Sequence, residues 1–307
     1  GMAAMTAALL CQLHAGDHVV AARALFGSCR WLFETLLPRF GVETTLIDGR
    51  NVSAWQQAIK GNTKLFFLET PANPTLDIVD IPAVSKIAHA HGIKVIVDNV
   101  FATPIMQKPL ALGADIVAYS ATKHIDGQGR VLGGVVLGQE NFIHDELLPF
   151  LRNTGPTLSP FNAWVLLKGL ETLDLRVRAM TSNAQKVAEF LEPHVANLRY
   201  PGLPSFPQAQ LVHDQMSGGG TIMSFSLDGN RDYVFKFMNA LKLIDISNNI
   251  GDSRTLITHP ASTTHHGLSE DARLDLGITD KMLRLSIGLE DVDDLITDLE
   301  QALKIIS

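Results

Sequence analysis

Short apolar segments alternate with longer segments of helical periodicity through the first half of the chain. The apolar segments have strand character and are His18–Ala21, Thr44–Ile47, Lys64–Leu68, Lys94–Val97, Ile116–Tyr119 and Gly134–Leu137. The helical segments are Arg30–Phe40, Val52–Ile59, Ile81–His91 and Asn141–Leu151, preceded by an Ala/Leu-rich run over Met2–Leu13. This alternation is typical of an α/β domain with a mostly parallel sheet.

The pattern changes after Pro156. Helical periodicity runs over Phe161–Arg178 and continues over Met180–Leu191, and a Pro/Gly-rich connector covers Tyr200–Pro207. Further along, strands are predicted at Thr221–Leu227, Leu243–Ser247 and Met282–Ser286, a loop at Asn248–Ser262, and helices at Tyr233–Leu241 and Val292–Lys304. We therefore predict a large α/β domain over residues 1–175 and a smaller α+β domain over residues 176–307.

Composition excludes several classes of function. The net charge of −7 is spread along 307 residues, without the basic patch that nucleic-acid binding requires. No apolar run approaches the roughly 20 residues of a membrane span, and the first residues lack the basic start of a signal peptide. Two cysteines make no disulfide framework, and the histidines show no metal-ligand spacing. We expect a cytoplasmic protein with no metal site.

One lysine lies where it would be poorly solvated. Lys123 follows the apolar strand Ile116–Tyr119 and the hydroxyl-bearing turn Ser120-Ala-Thr122, and a glycine-rich loop comes after it. Burial lowers the pKa of an ammonium group and makes the amine available as a nucleophile and base. Neighbouring hydroxyl groups suit a phosphate. The stretch therefore predicts a Schiff-base lysine that holds pyridoxal phosphate.

An acid at a second strand end supports this hypothesis. Asp98 follows Lys-Val-Ile-Val, where a buried carboxylate needs a cationic partner. A protonated pyridine nitrogen is such a partner, and the ion pair keeps the ring an electron sink. The predicted helix behind Gly1 offers backbone N–H groups and the positive end of its dipole to a phosphate.

Each observation has an alternative at this point. Lys123 could belong to an ordinary exposed loop, Asp98 could cap a turn, and Gly1-Met2 could be the remnant of an expression tag. Ser120-Ala-Thr-Lys123 also matches the Ser-x-x-Lys motif of penicillin-binding acyl-transferases, although the Ser-Asp-Asn and Lys-Thr-Gly partners of that motif do not occur in the chain.

The chain contains, in this order, the motifs Gly1-Met-Ala-Ala, Gly16-Asp-His-Val-Val, Glu69-Thr-Pro-Ala-Asn-Pro, Val97-Asp-Asn, Ser120-Ala-Thr-Lys, His259-Pro-Ala-Ser and Arg284-Leu-Ser-Ile-Gly-Leu-Glu. Together they resemble the motifs of the Cys/Met-metabolism PLP-dependent enzymes. The resemblance covers essentially the whole chain. It implies the aspartate-aminotransferase-like fold (fold type I), with a large cofactor domain and a small carboxyl-terminal domain.

The resemblance also implies roles for single residues. Lys123 would form the Schiff base and Asp98 would pair with the pyridinium nitrogen. The phosphate would be held by Ser120, Thr122 and the backbone of Gly1 and Met2, and the cofactor 3-hydroxyl by Asn73. The guanidinium of Arg284 would bind the substrate α-carboxylate, and Asn249 falls where many relatives have a serine near that carboxylate.

Two departures from the family pattern stand out. Phe26 replaces the tyrosine of most relatives; its ring can still stack on the cofactor, but the hydroxyl is absent. The family's amino-terminal segment, which supplies a tyrosine and an arginine to the phosphate of the neighbouring subunit, does not precede Gly1. We therefore expect that the sequence begins after this arm, which puts cofactor binding and dimer assembly of this chain in question.

Two loops, Lys123–Gly134 and Asn249–Thr255, resemble those of the O-succinylhomoserine sulfhydrylases, with Arg254 where the lyases and cystathionine synthases tend to have glutamate. Random drift in a loop is the alternative explanation. The implied reaction is γ-replacement in methionine biosynthesis, in which O-succinyl-L-homoserine and sulfide give L-homocysteine and succinate. Sibling trans-sulfuration reactions remain alternatives: cystathionine γ-synthase, O-acetylhomoserine sulfhydrylase or methionine γ-lyase chemistry. A truncated, non-catalytic scaffold is an alternative of another class. The family implies a homodimer or homotetramer.

Overall fold

Six strands of the amino-terminal half form one sheet in the computed structural model, which describes residues 1–306. The strands are β1 (His18–Ala22), β2 (Glu43–Ile47), β3 (Thr63–Glu69), β4 (Lys94–Asp98), β5 (Ile116–Ser120) and β6 (Gly134–Gly138). Their order is β2-β1-β3-β4-β5-β6, and every pairing is parallel except that of β5 with β6. A mostly parallel sheet was predicted, and it is confirmed.

Helices alternate with these strands along the chain, as expected of α/β units. They are α1 (Met2–Leu10), α2 (Gly27–Trp31), α3 (Leu37–Arg39), α4 (Val52–Gln57), α5 (Ile81–Ala90), α6 (Thr103–Met106), α7 (Leu148–Thr154) and α8 (Pro160–Leu170). Wider π-helical turns, Leu32–Leu36 and Phe142–Leu147, join α2 to α3 and precede α7. All five residues of β1 are buried, which is the pattern of a parallel strand covered on both faces.

A second sheet forms in the carboxyl-terminal half. Its strands are β7 (Ala196–Arg199), β8 (Ile222–Ser226), β9 (Asp245–Ile246), β10 (Leu256–Thr258) and β11 (Met282–Ser286), in the order β7-β8-β11-β10-β9. Its pairings are antiparallel except for β9 with β10. The helices are α9 (Leu173–Leu191), α10 (Ala209–Gln215), α11 (Arg231–Ala240), α12 (Glu270–Asp275) and α13 (Val292–Ile306).

The chain divides into two compact units with separate cores. Among the described residues, the first contains 1–73, 77–122 and 131–166, and the second contains 74–76, 123–130 and the residues from 167 onward. Phe33, Phe66 and Phe67 are fully buried in the first core, and Phe225 and Phe237 in the second. The change at 166/167 differs from the predicted domain boundary at 175/176, which stays a prediction. The turn that contains Lys123 belongs to the second unit.

Some elements differ from the sequence-based expectation. The predicted loop Asn248–Ser262 contains strand β10, whose three residues are too few to produce a recognisable alternation. The long helical run after Pro160 ends at Leu170 and begins again at Leu173. Strand β7 and helix α10 flank the Pro/Gly-rich connector and were not predicted. Within the described chain, no helix combines the length and apolar character needed to cross a bilayer.

Candidate active site

Four neighbouring parallel strands of the first unit end at one edge of its sheet. Strands β1, β3, β4 and β5 run in the same direction, so their carboxyl ends lie together. Ligands of open α/β sheets bind at this edge. The chain leads from these four ends to Phe26, Asn73, Asp98 and Thr122, and the next residue after Thr122 is Lys123.

The beginning of α1 lies directly against the end of β5. A Cβ atom built on Gly1 would be 2.6 Å from the Ser120 hydroxyl oxygen, so that any larger residue would require Ser120 to move. The nitrogen of Gly1 donates a hydrogen bond of 2.6 Å to the carbonyl of Gly133. Thr122 contacts the same residue, because the backbone N–H of Gly133 donates to its hydroxyl oxygen at 3.1 Å. Half-buried Gly1, Ser120 and Thr122 thus form one cradle, with half-buried Met2 as the first residue of α1.

Asp98 is the last residue of β4, and its side chain is almost completely buried. One carboxylate oxygen accepts a hydrogen bond of 3.1 Å from the backbone N–H of Val100. Burial raises the pKa of the Asp98 carboxyl to about 7, which outweighs the lowering by this hydrogen bond and by the amino-terminal charge. A cation at this carboxylate would remove the penalty of burying its charge.

A second buried carboxylate connects two segments of this edge. Glu69, the last residue of β3, accepts hydrogen bonds from the backbone N–H groups of Phe26 at 2.6 Å and of Asn73 at 2.9 Å. The sequence-based prediction assigned no role to Glu69. Its position could have revealed one, because an acid that ends an apolar strand needs a partner, as Asp98 does.

In the second unit, the Lys123 amine contacts Asn249. The Nζ atom donates a hydrogen bond of 2.5 Å to the side-chain oxygen of Asn249, which lies in the loop between β9 and β10. Arg284, buried in the central strand β11, donates from Nη2 to the carbonyls of Asn248 and Asn249 at 2.9 and 3.3 Å. Burial first, and the charge of Arg284 second, lower the pKa of Lys123 to about 8. The structure thus brings together three of the predicted site residues, Lys123, Asn249 and Arg284.

Arg254, the basic residue of the second subfamily loop, lies at the surface. Its Nη1 atom is 3.0 Å from the carboxylate of Asp245, and its Nε atom is 3.6 Å from that of Asp252. Its side chain is 64% exposed. The Arg254 guanidinium therefore forms ion pairs at the surface, and its value for telling the subfamilies apart stays a prediction.

The model of the Cys/Met metabolism PLP-dependent enzymes matches residues 1–304 of the chain. The chain belongs to this family. Pyridoxal phosphate is the cofactor of its members, and the family assignment favours the cofactor interpretation of Lys123 over the acyl-transfer interpretation of Ser120. The predicted family, cofactor and enzyme class are confirmed.

Curated relatives in the family are similar over nearly the whole chain. An O-succinylhomoserine sulfhydrylase of Mycobacterium tuberculosis (strain CDC 1551 / Oshkosh) is 52% identical, with 99% of this chain and 76% of that protein covered. An O-succinylhomoserine sulfhydrylase of Pseudomonas aeruginosa is 47% identical, with 99% and 75% covered. An L-methionine gamma-lyase of Treponema denticola is 44% identical, with 99% and 77% covered.

Solved structures confirm the fold. The crystal structure of MetB from Corynebacterium glutamicum superposes with a TM-score of 0.95 at 38% identity, and the match covers 100% of this chain and 79% of that one. Cystathionine gamma-lyase from Lactobacillus plantarum, solved with L-serine, also gives a TM-score of 0.95, at 37% identity and with 100% and 80% covered. The fold is therefore that of the fold-type I PLP enzymes, as predicted.

Proposed function

We propose that this family member catalyses γ-replacement, in which O-succinyl-L-homoserine and sulfide give L-homocysteine and succinate. The names of two similar relatives support the substrates. The hydrogen bond between Lys123 Nζ and Asn249 carries the proposal for this chain, because it joins a half-buried amine of lowered pKa to the loop next to Arg284.

The first unit has the groups that pyridoxal phosphate needs. The cradle of Gly1, Ser120 and Thr122 offers backbone N–H groups, hydroxyls and the amino-terminal end of α1 to the phosphate, with Met2 contributing its backbone. The absence of a side chain at Gly1 leaves the approach to Ser120 open. Asp98 supplies the buried carboxylate for the pyridinium nitrogen. These residues fit the cofactor.

Two further residues of this unit would contact the ring. Phe26 is half-buried and offers an aromatic face for stacking, while buried Asn73 offers an amide donor to the 3-hydroxyl. Because the Glu69 carboxylate bonds the backbone of both residues, it fixes the spacing between the stacking residue and the amide.

Lys123, Asn249 and Arg284 would act on the substrate. Bound pyridoxal phosphate supplies an electron sink for charge that develops on the substrate carbon atoms. Arg284 binds the α-carboxylate through its planar guanidinium and thereby orients the Cα–H bond. The uncharged Lys123 amine would accept the proton from Cα and would move protons between Cα and Cβ. The Asn249 oxygen holds the amine while it is protonated.

Succinate leaves with the electrons of the Cγ–O bond, and sulfide forms the new Cγ–S bond, so the net change is one substitution at Cγ. The Lys123 amine has a lowered pKa because it is partly buried, and because the positive charge of Arg284 acts on it. It can therefore shuttle protons near neutral pH without a second base.

Activity assays that combine O-succinyl- or O-acetyl-L-homoserine with sulfide or cysteine test this function. We expect the succinyl ester with sulfide to give the highest kcat/KM, and Lys123→Ala to abolish the activity while Lys168→Ala, an exposed lysine paired with Glu171, retains it. Faster reaction with cysteine than with sulfide would instead indicate cystathionine γ-synthase chemistry. A higher kcat/KM for the acetyl ester would indicate O-acetylhomoserine sulfhydrylase chemistry. Release of methanethiol from methionine would indicate a γ-lyase, and turnover by Lys123→Ala would overturn the lysine assignment.

We also propose a cytoplasmic homodimer or homotetramer. The family resemblance supports this assembly, and α8 leaves Phe161 and Trp164 more than half exposed, as expected of a surface that a second copy covers. Light scattering coupled to size-exclusion chromatography measures the mass. A monomeric mass at micromolar concentration would contradict the assembly without affecting the assignment of the residues.

A further inference from the structure

The residues after Lys123 form an irregular turn that is held by its own backbone. The N–H of Gly127 donates to the carbonyl of Lys123 at 2.8 Å, and the carbonyl of Gly127 accepts from the N–H of Ser253 at 2.7 Å. Gly127 has φ = +72°, a conformation that side chains rarely adopt. The turn is thereby connected to the segment that carries Asn249, the partner of the Lys123 amine.

Arg176, in the first turns of α9, contacts this turn through its guanidinium. The Nη1 atom donates to the carbonyl of His124 at 2.8 Å, and Nη2 donates to the carbonyls of Ile125 at 3.2 Å and Gly169 at 2.8 Å. The Nε atom donates to the Thr172 hydroxyl at 3.1 Å, which orients the plane of the group. The two carbonyls of the turn belong to the first two residues after Lys123.

This position is unfavourable for a charge. Arg176 is only 9% exposed, and its pKa is lowered by burial first and by the charge of Arg130 second, while Asp126 opposes the change. Asp126 is itself engaged by Arg130, whose Nε atom donates to it at 2.9 Å. A Cβ atom on Gly127 would collide with the Arg176 guanidinium, so the glycine leaves room for this contact.

We propose that Arg176 is a positioning residue for the Lys123 amine: its guanidinium fork fixes the two carbonyls after Lys123 and so keeps Nζ within bonding distance of Asn249. The proposal rests on the proposed role of Lys123. A lysine at residue 176 keeps the charge but lacks the planar fork, and it cannot bond several separated carbonyls and the Thr172 hydroxyl at once.

The pH dependence of Lys123 labelling separates positioning from mere stability. The full chain, stripped of pyridoxal phosphate, is labelled competitively with acetic anhydride at several pH values, and the extent of reaction at each lysine is read by mass spectrometry. In the wild-type protein, reaction at Lys123 should rise through pH 8. In Arg176→Lys the amine leaves its half-buried position, its pKa moves toward the ordinary lysine value, and labelling at pH 8 falls roughly fivefold.

Matched controls accompany this measurement. Arg178→Lys alters an exposed arginine of the same helix, paired with Asp174, and should leave the Lys123 profile unchanged. The profile of exposed Lys168 is the internal reference in every variant. Thr172→Val removes the acceptor for Arg176 Nε with little change in shape, and it should produce a smaller shift in the same direction.

The outcomes are distinct. A folded Arg176→Lys protein with the wild-type Lys123 profile overturns the proposal, as does an equal change in the profiles of Lys123 and Lys168. If Arg176→Lys does not fold, Thr172→Val decides by the same criterion. No substrate enters the measurement, so a failed sulfhydrylase assay of the wild-type protein would reject the proposed reaction without bearing on this result.

Discussion

The carboxylate of Glu69 accepts a hydrogen bond of 2.6 Å from the backbone N–H of Phe26, across 43 residues of sequence. The second carboxylate oxygen accepts from Asn73 at 2.9 Å. A single buried acid therefore sets the distance between an aromatic face and an amide at the carboxyl edge of the parallel sheet. Neither backbone donor depends on the identity of its own side chain.

Glu69→Gln should weaken binding of pyridoxal phosphate. The glutamine amide turns its NH₂ group toward the backbone N–H of either Phe26 or Asn73, so two donors face each other there. One hydrogen bond to a charged group is lost. Such a loss is worth about 2 kcal/mol, or a roughly thirtyfold higher dissociation constant. Fluorescence titration of the apoprotein measures this constant. Glu34→Gln, which changes an exposed glutamate paired with Arg30, is the control and should bind normally. Equal affinity in both variants would contradict the role of Glu69.

The attachment of pyridoxal phosphate to Lys123 should depend on pH with a definite sign. Because burial and Arg284 lower the pKa of Lys123 to about 8, the uncharged amine predominates above this value. The rate of attachment to the apoprotein should therefore rise as pH increases through about 8 and then level off. Stopped-flow absorbance after mixing with the cofactor measures it. A rise that continues to pH 10 would mean that the amine behaves as an ordinary lysine.

His18 should make the free energy of unfolding depend on pH. Its ring nitrogens bond the hydroxyls of Thr63 at 2.8 Å and Thr45 at 2.9 Å, and burial lowers its pKa in the folded protein. The unfolded state therefore binds more protons below the ordinary histidine pKa, and stability falls as pH decreases through that value. Urea unfolding at pH 7.5 and pH 5 measures the change.

His18→Gln should reduce this loss of stability between the two pH values. His14→Gln alters a histidine whose side chain is 88% exposed and should leave the loss unchanged. If both variants lose as much stability as the wild-type protein, the titrating group lies elsewhere.

Asp298 should be essential for the stability of the second unit. Its carboxylate accepts from three consecutive backbone N–H groups, those of Lys242, Leu243 and Ile244, at 2.8, 2.9 and 3.0 Å. Asp298→Ala leaves these donors without their acceptor and should lower the free energy of unfolding by about 3 kcal/mol. Thermal and urea unfolding measure it. The control is Glu300→Ala on the same helix, an exposed position, with an expected change below about 0.5 kcal/mol.

Polar residues at strand ends were the site residues that the sequence pattern itself singled out, although Glu69 was overlooked. Asp98 and Lys123 each follow an apolar run, and polar groups in that position are conspicuous because burial penalises them. The sheet itself was predictable for the same reason, since its strands are long enough to contrast with the flanking helices.

Contacts between residues far apart in the chain could not be predicted from the sequence. The bond between Lys123 and Asn249 spans 126 residues, and Asn249 was placed only by resemblance, because its loop has no periodicity. In the sequence, Arg176 resembles any other charged residue of an amphipathic helix. The residues around it do not indicate that it bonds the carbonyls of His124 and Ile125, which lie 52 and 51 residues away. Such placements depend on tertiary packing rather than on local preference.

The hydrogen bond from Gly1 to Gly133 spans 132 residues and has a consequence for biosynthesis. A ribosome releases the start of α1 long before it has made the turn against which that helix begins. The cradle of Gly1, Ser120 and Thr122 therefore cannot form on a partly translated chain until Gly133 has emerged, because Gly133 bonds both Gly1 and Thr122. Strand β6 begins at the next residue. Any anion that this cradle holds must then bind after most of the first sheet has been translated.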